Sequence, residues 1–230
     1  MFTDTDRFIV LDTETTNTID EPIMYDLGFL VCDIHGTVYE THSLVISDVF
    51  NDESLMASAY YYNKIPQYKQ EIASGQRKLV SLYEARMILC AVAQKYDAKL
   101  VVAHNAYFDY RSTNRTQRYL TKSRYRFFLP YGVELWDSLK MARATFKDDE
   151  NYAEFCKQHE YLTQNGKPQY TAEVLYRYLH NDTEFAESHT GLEDCMIEKE
   201  IFTACLSRNP DLDGIAFPRP VVEPEYWWQK

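Results

Sequence analysis

The chain has 230 residues, with 24 Lys and Arg against 35 Asp and Glu, a net charge of −11. That length is one large domain or two small ones with room for a sizeable core, and the acidic balance excludes a nucleic-acid coat or membrane-surface protein held by bulk positive charge. A composition 45% hydrophobic and 26% charged, with only 7 Gly and as many as 19 Tyr, excludes a disordered or low-complexity chain.

Residues 1–7 carry Asp4 and Asp6 and lack the apolar stretch of a secretory signal. The longest apolar runs, such as 87–93, fall far short of the ~18 residues that span a membrane. Cys32, Cys90, Cys156, Cys195 and Cys205 make an odd count without a C-x-x-C pair, which argues against a disulfide framework and a zinc knuckle. The expectation is a soluble, cytoplasmic protein with reduced thiols.

In chain order, Phe8-Ile9-Val10-Leu11 is a short β-branched apolar run, as in a strand buried on both faces. Residues 23–32 and 37–46 read as two further strands, with Asp33-Ile34-His35-Gly36 as the turn between them. Residues 47–80 hold a Tyr60-Tyr61-Tyr62 cluster and no clean period. Ser81 and Glu84 form a capping box, and Leu82, Ala85, Ile88, Leu89, Val92 and Tyr96 follow at helical spacing. Residues 99–103 are another apolar strand. Helices are expected over 139–146, 171–179 and 192–206, with a turn at Gln164-Asn165-Gly166-Lys167 in the stretch 152–179. Residues 209–230 form an extended tail with Pro210, Pro218, Pro220 and Pro224, closing on Tyr226-Trp227-Trp228. Strands first and strand–helix alternation afterwards predict an α/β fold around one mixed sheet.

Three acidic clusters stand where such a fold places a site. Asp12 and Glu14 follow the first strand, and residues two apart on a strand project together. Paired carboxylates repel unless a cation neutralises them, and hard oxygen ligands suit Mg²⁺ or Mn²⁺; alone, the pair is equally an acidic turn. His104-Asn105-Ala106-Tyr107-Phe108-Asp109 follows a later strand, at the sheet edge where ligands bind in parallel sheets. Asp109 falls in the first turn of a following helix, aimed back over the strand ends or merely placed well in the helix dipole, with Asn105 as N-cap. The third cluster is His189-Thr190-Gly191-Leu192-Glu193-Asp194. Five residues apart, His189 and Asp194 would stand roughly 140° apart on one helix, so they share a site only if His189 lies on the approach loop, with Gly191 easing entry. A histidine there suits a base that removes a proton from water, or is simply a surface residue before a helix. Glu193 reads as solvated.

Taken together, D-x-E, H-N-x-x-x-D and H-x-x-x-x-D resemble the exo I, exo II and exo III motifs of the DnaQ-like 3′–5′ exonucleases, in the DEDDh branch that carries histidine in its third motif. The wording Val10-Leu11-Asp12-Thr13-Glu14-Thr15, Ala103-His104-Asn105-Ala106 and Leu192-Glu193-Asp194-Cys195 is similar to that of the family, and the motifs span residues 8–206. The resemblance implies a ribonuclease-H-like fold with a central five-stranded mixed sheet flanked by helices, an exonuclease domain over 1–208, and two divalent ions, Mg²⁺ or Mn²⁺, held by Asp12, Glu14, Asp109 and Asp194. Two such ions clamp the attacking and leaving oxygens of an in-line displacement. His189 is then the general base, and nucleoside 5′-monophosphates are released from the 3′ end of single-stranded DNA.

The family pattern also implies that Thr13 and Thr15 approach the terminal nucleotide, with His104 and Asn105 bracing that end of the site or serving structural hydrogen bonds. Arg111, Arg115, Arg118, Lys122, Arg124 and Arg126 form an acid-free stretch that is either a phosphate-tracking patch or a solvated face. Tyr107, Phe108 and Tyr60–Tyr62 are stacking platforms or core. The 152–179 stretch is similar to that of bacteriophage-encoded members, and the aromatic tail packs on its own domain or docks a polymerase partner. Two alternatives remain open: an exoribonuclease or oligonucleotide scavenger with the same chemistry, and a subunit acting mainly through a replicase.

Overall fold

The structure is a computed structural model, and it describes residues 2–123 and 126–209. Its first strands are β1 (Phe8–Asn17), β2 (Pro22–Cys32) and β3 (Val38–Ile46), followed by short helices α1 (Ser47–Phe50) and α2 (Glu53–Met56) and a longer α3 (Ile65–Ser74). Strand β4 (Lys78–Val80), α4 (Leu82–Lys95), β5 (Leu100–Ala103), α5 (Ala106–Thr121), β6 (Glu134–Asp137) and α6 (Ser138–Phe146) come next. The described chain then runs through α7 (Glu150–Gln158), α8 (Ala172–His180) and α9 (Gly191–Arg208). The Pro- and Trp-bearing tail from 210 onward, and Arg124, lie outside the described residues.

The strands form one six-stranded sheet in the order β4-β3-β2-β1-β5-β6. β2 is antiparallel to β1 and β3, while β1, β5 and β6 are mutually parallel, as are β3 and β4. The sheet therefore has one strand more than the five expected. The additional strand, β4, is three residues long at the edge beyond β3 and mostly exposed, too short for its alternation to register in the sequence. β6, α3 and α7 likewise emerge only in the structure.

Alternation along β1 sends Ile9 and Leu11 to one face and Phe8 and Val10 to the other. The first face packs Leu27, Phe29 and Val101 against Tyr68, Leu89 and Val92. The second packs Leu30, Leu100 and Val102 against Met141, Phe146, Leu175 and Phe202. This is a three-layer α/β arrangement with a core on each side of the sheet. The five cysteines are free, and no helix among the described residues is long and apolar enough to cross a membrane. Ser81 caps α4 through the expected box with Glu84, and Thr171 caps α8.

The parallel strands β1, β5 and β6 end at the same edge of the sheet, which puts Asp12, His104 and Asp137 side by side. Helix α9 crosses this edge. Its approach is set by two glycines: a Cβ on Gly191 would lie 2.6 Å from the Gly28 nitrogen, and one on Gly28 would overlap the Gly191 carbonyl carbon and the Leu192 nitrogen. Gly28 is the residue paired with Asp12 across β1 and β2. Gly191 thus serves close backbone approach, where the sequence suggested easy entry into a helix.

Candidate active site

Asp12, Glu14 and Asp194 each place a carboxylate oxygen within 4.8 Å of the others. A register slip between Glu14 and Thr15, which leaves Tyr25 of β2 as the extra residue, falls at this point; such bulges re-aim side chains beside active sites. Asp109 is buried in the first turn of α5 and lies next to the trio, close enough for its charge to act on Asp12. Its Oδ1 accepts a 2.8 Å hydrogen bond from the Thr13 hydroxyl. Thr13 is itself buried and also 2.8 Å from Ser112 Oγ, so its side chain braces Asp109, whereas the sequence reading put it against substrate. Thr15 borders the open cavity.

Crowding of carboxylates raises their pKa values. Burial, then the negative charges of Glu198, Asp109 and Glu14, hold Asp12 well above the usual carboxylate range. Burial and Asp194 push Glu14 up to about 9, and burial and Glu187 push Asp194 up to about 8. Burial lifts Asp109 to about 7. The donor set consists of hard carboxylate oxygens without enough protein cations to balance them, which fits Mg²⁺ or Mn²⁺.

These shifts determine how the metal-free protein responds to pH. In the unfolded chain carboxyls ionise near about 4, while in the folded protein Asp109, Asp194 and Glu14 keep their protons to about 7, 8 and 9. Across that window the native state binds more protons, so raising the pH removes stability. Thermal unfolding of chelator-treated protein at pH 5, 7 and 9 should show a steadily falling midpoint, and Mg²⁺ should restore it most at pH 9. A midpoint that rises over this range without metal would contradict the arrangement.

His189 stands at the rim with φ +51°, before α9, as its motif spacing requires. Its ring stacks on Tyr61, centroids 4.7 Å apart and planes 12° apart, and Lys64 Nζ donates to its carbonyl oxygen at 3.2 Å. Burial, then the Lys64 charge, lowers the imidazole pKa, so the ring is neutral and able to accept a proton at neutral pH. Glu187 Oε2 lies 3.8 Å from His189 Nδ1, and burial pushes its carboxyl up to about 7.

His104 serves the structure. Its Nε2 lies 2.8 Å from the Tyr170 carbonyl, which can only accept, so Nε2 carries the proton; Nδ1 then accepts from Ser138 Oγ at 2.9 Å. Asn105 occupies the N-cap position of α5 in the left-handed region, but its side chain makes no cap bond; its backbone N–H donates to Asp137 at 3.1 Å. Arg111 donates to the Ile19 carbonyl and Arg115 pairs with Glu21. Both therefore tether the β1–β2 turn, and neither borders the cavity. Arg118 and Lys122 rest on the rings of Phe127 and Tyr119.

Of the aromatics, Tyr60 is 87% exposed, and with Tyr61 and Phe108 it borders a cavity of about 860 Å³ that also includes Asp12, Glu14, His189 and Asp194. Arg143 of α6 and Gln169 form part of the opposite wall.

Three features escaped the sequence reading. Glu187 and Glu198 border the same cavity; Glu198 was discoverable, since it lies four residues after Asp194 on α9 and so on the same helical face. The third is a buried ion network. Arg77 reaches Asp26 at 3.3 Å, Ser43 at 2.7 Å, Glu193 at 2.9 Å, and Glu71. Asp26 Oδ2 also accepts from Tyr68 Oη at 2.6 Å and from the Gly191 N–H at 3.0 Å. Glu193 is thus ion-paired where the sequence suggested a solvated side chain, and its Oε2 accepts from Thr190 Oγ1 at 2.7 Å. The network fastens the start of α9 to β2, beside Gly28.

No protein-family profile matches the chain, and no curated protein matches it. Solved structures do. Exonuclease X in complex with 5′ overhanging duplex DNA aligns at TM-score 0.50 and 16% identity over 88% of this chain and 93% of its own. Exonuclease I of E. coli in complex with a dA16 oligonucleotide aligns at TM-score 0.61 and 16% identity over 90% of this chain. An exonuclease I from Methylocaldum szegediense gives TM-score 0.56 at 16% identity. The chain spans only 42% of the length of these two exonucleases I. Its α/β sheet with flanking helices is the ribonuclease-H-like fold that these exonucleases share.

Proposed function

We propose that the chain is a metal-dependent 3′–5′ exonuclease that hydrolyses phosphodiester bonds from the 3′ end of single-stranded DNA and releases nucleoside 5′-monophosphates. The observation that carries this reading is the convergence of Asp12, Glu14 and Asp194 within 4.8 Å at the carboxyl edge of the sheet, in one cavity with His189. That cavity is within the ~300–1,000 Å³ range of small-molecule sites. The solved neighbours bound to a dA16 oligonucleotide and to overhanging duplex DNA favour DNA as the polymer.

Asp12, Glu14, Asp194 and Asp109 would hold two divalent ions, whose chemistry is to neutralise the phosphodiester and stabilise the attacking and leaving oxygens. Thr13 keeps the Asp109 carboxylate turned inward. His189 accepts the proton of the attacking water, its neutral state favoured by burial and Lys64, its ring plane held by Tyr61. Exposed Tyr60 and half-buried Phe108 offer faces on which terminal bases stack, a contact worth about 1–3 kcal/mol per base.

The test is a set of matched 5′-labelled single-stranded DNA and RNA oligonucleotides with Mg²⁺, Mn²⁺ or EDTA. A metal-dependent descending ladder on DNA is expected; a ladder on RNA alone would transfer the reading to an exoribonuclease, and none on either would refute it. His189→Ala should lower kcat by about 10²–10⁴-fold while Mn²⁺ binding is kept. Full turnover of that variant at saturating Mg²⁺ would remove the base role.

A further inference from the structure

Glu198 has no task in the site described so far, yet it is only 3% exposed. It stands one helical turn beyond Asp194 on α9, so both carboxylates leave the same helix face. A backbone hydrogen bond from His104, at the end of β5, fixes the group in place, and Oε2 is buried with no hydrogen-bond partner. Glu198 borders the cavity that Asp12, Glu14 and Asp194 share. The charges that act on it belong to Asp109, Asp194 and Glu187, all acidic.

The other buried acids near this edge are answered from within the protein. Arg77, Tyr68 and Gly191 reach Asp26, two backbone N–H groups reach Asp137, and Thr13 reaches Asp109. Glu198 alone combines deep burial, acidic neighbours and a free oxygen at the cavity. Buried carboxylates are tolerated when paired or bound to a metal. A group bound for purely structural reasons would find its partner within the fold.

We propose that Glu198 is a further metal ligand of this site, its Oε2 meeting the divalent cation that the neighbouring carboxylates bind. This rests on the reading of Asp12, Glu14 and Asp194 as metal ligands, and it adds a buried fifth carboxylate to the four in the three motifs. Its consequence is a site of higher negative charge, and hence of tighter cation affinity, than those four provide.

The test is Mn²⁺ binding to the full chain, followed by loss of the free-ion EPR signal, for wild type, Glu198→Gln, Glu198→Thr and Asp12→Asn. The glutamine keeps the shape; the threonine removes the buried polar end should the amide disturb folding. Both are expected to weaken Mn²⁺ binding about 10–100-fold, the range typical when groups supporting a metal are lost. Both should also melt higher than wild type in chelator, because one of several mutually repelling carboxylates has gone. If Asp12→Asn loses Mn²⁺ while both Glu198 variants bind within twofold of wild type, the inference is overturned and the proposed function stands. If wild type binds no Mn²⁺, both are overturned.

Discussion

Asp12→Asn is expected to abolish hydrolysis, with a loss of at least about 10³-fold, or about 4 kcal/mol of transition-state stabilisation, and at the same time to make the metal-free protein more stable. The two effects share one cause. Asp12 belongs to the trio within 4.8 Å, and the negative charges of Glu198, Asp109, Glu14 and Asp194 all bear on it. Without a cation its ionised form is opposed by every one of them; with a cation it is a principal ligand. An amide keeps the shape, ends the repulsion and cannot take the same charge-bearing role. Steady-state assay on a 5′-labelled oligonucleotide gives the first number, and thermal unfolding in EDTA gives the second. Wild-type turnover would refute the metal assignment. Lost turnover with a lowered melting point in EDTA would instead mean that Asp12 holds the fold together, an outcome opposite in sign to carboxylate crowding.

The contrast between what was legible and what was not follows from periodicity and pairing. β1 was legible because Phe8-Ile9-Val10-Leu11 must be buried on both faces, and α4 because Ser81 and Glu84 satisfy its first N–H groups whatever surrounds it. The acidic motifs were legible because fixed spacing at strand ends leaves their residues few other places to be. Glu198 was obscured because α9 is buried on nearly every side: it packs on β1, β2, α6 and α8, and even Glu198 and Lys199 are buried, so no apolar stripe separates inside from outside. Arg77 was obscured for another reason. Its partners Asp26, Ser43, Glu71 and Glu193 come from four separated stretches, and only the folded sheet brings them together. Arg111 and Arg115 read as free cations because their partners, the Ile19 carbonyl and Glu21, lie some 90 residues earlier. Thr13 reads as a substrate contact on strand alternation alone; the position of Ser112 and Asp109 on α5 is what turns it inward.

Gly28→Ala is expected to cost about 3 kcal/mol or more and to weaken divalent-cation binding with it. The added methyl would overlap the Gly191 carbonyl carbon and the Leu192 nitrogen. Overpacking against side chains typically costs about 1–3 kcal/mol because rotamers can move, but here the obstacle is the backbone of another element, so the larger values apply. Relief requires α9 to lift away from β1 and β2. That movement would strain the Gly191 N–H bond to Asp26 and the Arg77–Glu193 pair, and it would carry Asp194 away from Asp12 and Glu14. Gly75→Ala is the control. Gly75 has φ +79° with nothing near its hypothetical Cβ, so its substitution should cost only about 1 kcal/mol of backbone strain and leave Mn²⁺ affinity alone. Denaturant midpoints and Mn²⁺ titrations of the two variants separate the cases. Gly28→Ala with wild-type stability and affinity would show that the helix does not rest on the strand as closely as the site requires, and the position of Asp194 would then need another support. A stability loss with unchanged Mn²⁺ affinity would show that the carboxylates find each other without this contact.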